Sequence, residues 1–167
     1  ANPSKIEAWH SDMTFRRCPP SGSVLHGLII PERGGDTMFA SMSAAFEGLS
    51  DKMRSFLSGL TAVHDFSYGF KESINEPGGR ERLNEMIQNN PPVEHPVIRT
   101  HPESGKKGIF VNSLFTLEIK DMKQRESSSL LRFLCEHLTL PEFTCRFKWE
   151  KDSVAFWDNR ITQHKPV

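Results

Sequence analysis

The stretch WHSDMTF, residues 9–15, sets His10 and Asp12 two positions apart in an apolar, β-prone run. Alternate side chains of a strand share a face, so these two would project together. Burying an imidazole beside a carboxylate is costly unless something meets them. A hydrogen-bonded polar pair is one answer, and a metal ion is the other. A third candidate, His164, closes the segment FWDNRITQH just after a strand-like run. Two histidines and one carboxylate on neighbouring strands can occupy one face of a metal and leave three positions open. That is the arrangement of non-haem Fe(II) oxygenases.

Chance alone supplies roughly 0.3 H-x-D triplets in a chain with this many His and Asp residues, so the triplet by itself decides little. HPE at His101–Glu103 is a rival, weakened by Pro102 and the following SGK, which make it a turn. His26, His64, His95, His101 and His137 read as surface or hydrogen-bonded structural residues. Trp149 and Trp157 read as core.

The elements that must position these side chains are short strands: 7–15, 23–31, 37–41, 61–66, 95–101, 108–112, 143–150 and 153–159. FTCRFKWE has the cleanest alternation, which predicts Phe143, Cys145, Phe147 and Trp149 inward. Helices interrupt them. SAAFEGL leads into SDKMRSFLSGL, where Ser50 can cap and Gly59 can end the second helix. GRERLNEMIQNN stops at Pro91. RESSSLLRFLCEHL carries Leu130, Leu131, Leu134 and Leu138 at helical spacing. The expectation is a single domain over 1–167, mainly β with helical insertions, a barrel or sandwich.

At 167 residues the chain can bury a sizeable core. Its 21 basic and 21 acidic side chains cancel without long blocks. Nucleic acid would want a basic stripe and a membrane surface a basic amphipathic helix, and neither is present. A small molecule is the expected partner, with self-association into a homo-oligomer left open. Cys18, Cys135 and Cys145 form no C-x-x-C pair, which fits reduced thiols in the cytoplasm. No apolar run approaches a membrane span, and ANPSKIEA lacks the regions of a signal peptide.

WHSDMTF, P-x-x-GGDT (Pro31–Thr37), AVHDF, NPPVEHPVIRTHPESGK, IFVN and FWDNRITQH together resemble, in order, the taurine dioxygenase (TauD/TfdA-like) family of Fe(II)/2-oxoglutarate-dependent dioxygenases. The resemblance runs from about Trp9 to His164. It implies a double-stranded β-helix, or jelly roll, with His10, Asp12 and His164 as catalytic iron ligands. Thr37 would hydrogen-bond a carboxylate of the cosubstrate 2-oxoglutarate, and Gly34–Gly35 would let the chain turn closely beside it. By the same resemblance Ile6, Met13 and Phe70 stand at substrate-pocket positions, with Gly69 in place of a serine. They imply a pocket more apolar than taurine requires. The implied reaction consumes O2, releases succinate and CO2, and hydroxylates a C–H bond of a small organic acid: a sulfonate, alkyl sulfate ester or phenoxyalkanoate.

Family members continue past the distal histidine into a last core strand whose arginine pairs with the far carboxylate of 2-oxoglutarate. No residue here matches it: Lys165 would face away from His164 on a strand, and Arg160 has no such role in the family. The family also has a longer region before the first histidine. The expectation is therefore a piece of a longer gene product, with a truncated form or a completing partner as alternatives. Two other functions stay open at this point. One is a non-catalytic metal-binding relative acting as an assembly module. The other is a Zn(II)-dependent, cupin-like hydrolase on the same three ligands.

Overall fold

The computed structural model describes residues 7–167, so the Ile6 pocket position lies outside the described residues. The architecture is mainly β, in four small antiparallel sheets. β2 (Thr37–Ser41) is flanked by β8 (Thr144–Phe147) and β10 (Thr162–Pro166). β1 (Gly22–His26) pairs with β9 (Val154–Asp158). β3 (Thr61–His64) sits between β4 (Val93–Pro96) and β7 (Thr116–Ile119), and β5 (Ile98–Thr100) pairs with β6 (Lys107–Ile109). The β10-β2-β8 and β1-β9 sheets meet through Phe39 on β2, His164 on β10 and Trp157 on β9. Trp157 lies 5.3 Å from the Phe39 ring and 4.8 Å from the His164 ring.

Local rules account for the helices. Ser41 Oγ accepts from the Ala44 amide at 3.2 Å, starting α1 (Met42–Glu47) straight off β2. Ser50 does the same for Met53 at 3.3 Å, starting α2 (Asp51–Leu57), and Gly59 at φ +101° turns the chain beyond its end. Two short helices, α3 (Phe66–Gly69) and α4 (Lys71–Asn75), follow β3, then α5 (Gly79–Asn89). α6 (Gln124–Leu138) buries Leu134 and Leu138 fully, with Leu130 and Leu131 packed at the margin. Ser127 Oγ takes the Ile119 amide at 2.7 Å, and His137 bonds the Ala45 carbonyl at 2.7 Å, so α6 is tied to both β7 and α1. The main core gathers Met42, Leu57, Val97, Ile109, Phe110 and Leu134; a second cluster gathers Phe15, Phe66 and Phe115.

Several expected strands are corrected. Residues 7–15 do not form one: only His10 pairs, and the chain then turns through 12–15. Met13 takes a left-handed φ of +53°, and the Arg16 amide closes onto the Met13 carbonyl at 2.9 Å. The run from Ser23 keeps its strand only to His26, because Gly27 bonds back to Ser153 and leaves Leu28 and Ile29 exposed, Ile29 at 93%. HPVIRTH is split into β4 and β5 at the buried Val97. In FTCRFKWE, Phe143 belongs to a 3₁₀ turn and Cys145 is exposed. The edge strand β8 presents that face to an open groove lined by Phe39, Phe147 and Phe156, and Trp149 alone of the four is buried. Trp157 is only half-buried.

Candidate metal centre

His10 and His164 are brought together by their backbones. The His10 amide donates to the His164 carbonyl at 3.1 Å, and the His164 amide donates to the His10 carbonyl at 2.8 Å. The ring centroids stand 4.4 Å apart. The turn after Ser11 then swings the Asp12 carboxylate back under both rings. Asp12 Oδ1 lies 3.7 Å from His10 Nε2 and 3.7 Å from His164 Nε2. One ligand atom from each of the three residues falls within 4.8 Å of the others. The three predicted ligands thus converge, although Asp12 arrives by a turn and not by strand alternation.

The donor set suits a divalent cation. His10 Nδ1 donates to the Ala8 carbonyl at 2.8 Å, which leaves the Nε2 lone pair facing the centre. Burial pushes the His10 imidazole below the usual histidine range, against the opposing pull of the Ala8 carbonyl and Asp12. Burial likewise drives His164 down to about 4, reinforced by His10 and opposed by Asp12. Both rings are therefore neutral at pH 7, and a neutral imidazole is the form that binds metal. Two nitrogens and one carboxylate oxygen on one side match a facial set with open positions.

Two residues not singled out in the sequence hold Asp12. Ser23 Oγ donates to Asp12 Oδ2 at 2.5 Å. The fully buried Asn159 brackets the Asp12 main chain: its Oδ1 accepts from the Asp12 amide at 2.6 Å, and its Nδ2 donates to the Asp12 carbonyl at 2.9 Å. The same Nδ2 reaches the Pro20 carbonyl at 3.2 Å. The only sequence signal was a small amide inside WDNR, a position where a buried polar side chain needs a reason.

The other predicted positions fall on two flanks. On the His164 flank, the β2–β10 register sets Phe39 opposite His164 and Thr37 opposite Pro166, so Thr37 shares the face of the distal histidine. Its hydroxyl accepts from Trp149 Nε1 at 3.0 Å, which leaves its own proton for a further acceptor. Gly34 and Gly35, at φ +73° and +78°, make the turn into this strand, as expected. On the His10 flank, Phe115 meets the His10 ring edge-on at 6.2 Å, and Met13 and Phe70 pack on the Phe15–Phe66–Phe115 cluster. Phe70 also lines a cavity of about 470 Å³ with Ala8, Tyr68, Lys71 and Leu114.

Of the remaining histidines, His26 is at the surface and the others are hydrogen-bonded within the fold. His64 bonds Thr14 Oγ1 at 3.0 Å, and His95 bonds the Thr14 carbonyl at 2.9 Å. His101 receives the Ser104 amide on Nδ1 at 3.0 Å and donates Nε2–H to Asp158 at 2.8 Å. Arg160 is spent on Asp158 and on Glu103, at 2.6 and 2.8 Å. Lys165 lies over the Trp9 ring at 5.7 Å, away from the face that carries His164.

Residues 1–166 match the family described as taurine catabolism dioxygenase TauD, TfdA family. The chain is 39% identical to an "Alkylsulfatase" of Acinetobacter baylyi, over 98% of this chain and 52% of that protein. It is 35% identical to an "Alpha-ketoglutarate-dependent sulfate ester dioxygenase" of Pseudomonas putida, over 100% of this chain and 56% of that protein. Among solved structures it resembles "AAD-2 in complex with Mn(II) and N-oxalylglycine", with TM-score 0.82 and 33% identity, over 95% of this chain and 60% of that one. The likeness carries the jelly-roll fold to this chain. The chain spans about half the length of the curated relatives it matches. It belongs to the taurine catabolism dioxygenase TauD/TfdA family.

Proposed function

We propose that this chain carries the metal centre of an Fe(II)- and 2-oxoglutarate-dependent dioxygenase that hydroxylates a C–H bond of a small organic acid. The observation that carries the reading is the convergence of His10 Nε2, His164 Nε2 and Asp12 Oδ1 on one centre. The family and the names of the relatives favour it over a Zn(II) hydrolase or a non-catalytic module.

Ferrous iron with 2-oxoglutarate supplies, when bound, the O2-dependent oxidative chemistry that releases succinate and CO2. The protein's residues do the rest. His10 and His164 would give neutral nitrogen donors, and Asp12 would give one carboxylate oxygen. Thr37 would donate its hydroxyl proton to a cosubstrate carboxylate. Its oxygen is already pinned by the Trp149 indole, so the proton has one direction to take. Met13 and Phe70 would form the apolar wall against which substrate lies. The aromatic cluster behind them supports a sulfate ester or phenoxyalkanoate with an apolar body better than taurine, whose two-carbon chain has little apolar surface to lay against it.

A cytoplasmic setting is in keeping with three free thiols, at Cys18, Cys135 and Cys145. Among the described residues no helix is long and apolar enough to cross a membrane.

The test is an anaerobic titration of the metal-free protein with Fe(II) and then with 2-oxoglutarate. The reading expects the visible charge-transfer band of a chelated 2-oxo acid in the wild type and its loss in His10→Ala. Iron binding that is identical in both proteins would sink it.

A further inference from the structure

We propose that Ser23 is a positioning residue that dedicates the two oxygens of Asp12 to different tasks and so limits Asp12 to one metal bond. The proposal deepens the metal-centre reading and rests on it. Asp12 Oδ2 accepts the Ser23 hydroxyl at 2.5 Å, while Oδ1 stands 3.7 Å from both histidine nitrogens. A carboxylate can chelate with both oxygens or bind with one, and the rotation that separates these modes is soft. A hydrogen bond to one oxygen fixes that rotation. The bound oxygen is oriented away from the metal, and the other is presented to it.

The serine is itself held in place. It sits on β1, directly opposite Trp157 of β9, and in an antiparallel pair such opposed residues share a face. The Trp157 ring lies against the His164 ring at 4.8 Å, tilted by 52°. One rung of the β1–β9 ladder therefore carries both the hydroxyl that orients Asp12 and the ring that backs His164. Asn159, next in the chain after β9, fixes the Asp12 main chain, so the hydroxyl has only the carboxylate rotation left to set. One-oxygen binding matters to the proposed chemistry. Two histidines and one carboxylate oxygen leave three positions open, whereas a chelating Asp12 would occupy one of them.

Co(II) reports this directly, because its visible d–d spectrum responds to coordination number and geometry. Apo protein is titrated with Co(II) alone in the wild type, Ser23→Ala, Ser23→Thr and His10→Ala, with thermal unfolding of each apo protein in parallel. In Ser23→Ala we expect about tenfold weaker Co(II) binding and a changed d–d spectrum, with apo Tm close to wild type. Ser23→Thr, which keeps the hydroxyl, restores both. The proposal is overturned if Ser23→Ala keeps the wild-type affinity and spectrum. It is equally overturned if Ser23→Thr behaves like Ser23→Ala. If His10→Ala titrates like the wild type, the metal-centre reading itself fails, and the Ser23 proposal falls with it.

Discussion

His10 and His164 exchange both of their backbone hydrogen bonds, at 3.1 and 2.8 Å, so the two proposed histidine ligands are neighbours before any side chain is considered. The pairing does not need the imidazoles. Replacing either ring by alanine should leave the fold intact and remove the metal. Wild type with Fe(II) at 100-fold over its Kd gains about 2.7 kcal/mol, which is roughly 5–10 °C in Tm for a domain of this size. His10→Ala and His164→Ala should show none of that metal-induced rise in scanning calorimetry. An equal rise in both variants would show that the ion binds elsewhere.

Asn159 is wholly buried and serves Asp12 from both sides of its peptide. Truncation to alanine strands a donor and an acceptor of the Asp12 backbone away from water. The expected loss is about 2–4 kcal/mol, read as a lower urea midpoint at unchanged slope. Metal affinity should fall as well, since the turn that presents Asp12 loosens. Unaltered stability would mean that water replaces the amide without cost.

Thr37 separates cosubstrate from metal. Thr37→Val removes the hydroxyl, and Thr37→Ser keeps it. Fe(II) binding should match wild type in both, while 2-oxoglutarate binding to the Fe(II) protein weakens about tenfold in the valine variant only. That loss equals the roughly 1.4 kcal/mol expected of one hydrogen bond to a charged acceptor. The charge-transfer titration measures it, and equal affinities in valine and serine variants would count against the role.

His64 predicts an acid-side weakness. Burial, with His95 adding to it, holds its imidazole down at about 3, while the unfolded chain takes up that proton near 6.5. Between those values the unfolded state binds more protons, so stability is full above pH 6.5 and falls as pH drops towards 3. At pH 5 the His64 share of the loss is about 2 kcal/mol. Urea midpoints from pH 7.5 to 5 should fall more steeply in wild type than in His64→Asn. Parallel profiles would exclude His64 as the source.

Much of this was legible in the residue order. Helices with clear local signals, a cap at Ser50 and a stop before Pro91, form where local rules put them, because both effects are short-range. β2 also forms over the run 37–41 that the sequence offered, just after the ERGGD break. WHSDMTF misled, since its strand-like pattern is overridden by Asn159, which arrives from a distant part of the chain and substitutes for a ladder partner. β7 and β10 were not singled out, because TLEI and TQHKP carry little apolar alternation and depend on β3 and β2 to form. The three proposed ligands were marked as candidates by residue type and spacing, and the family resemblance joined them into one set. Ser23 was not singled out, because a serine at the start of a strand has no local mark of the carboxylate it will meet.

The pairing of His10 with His164 joins positions near opposite ends of the described chain, and this has a consequence for maturation. Contacts so remote in sequence form late, after the entropy of closing the intervening chain has been met by nearer ones. A half-folded chain therefore has isolated histidines but no chelate, and it cannot trap a stray cation in a three-ligand grip. Loading at the proposed centre would be deferred until the two histidines have met. The ion would then act as a clasp, and its occupancy would report that this pairing has formed.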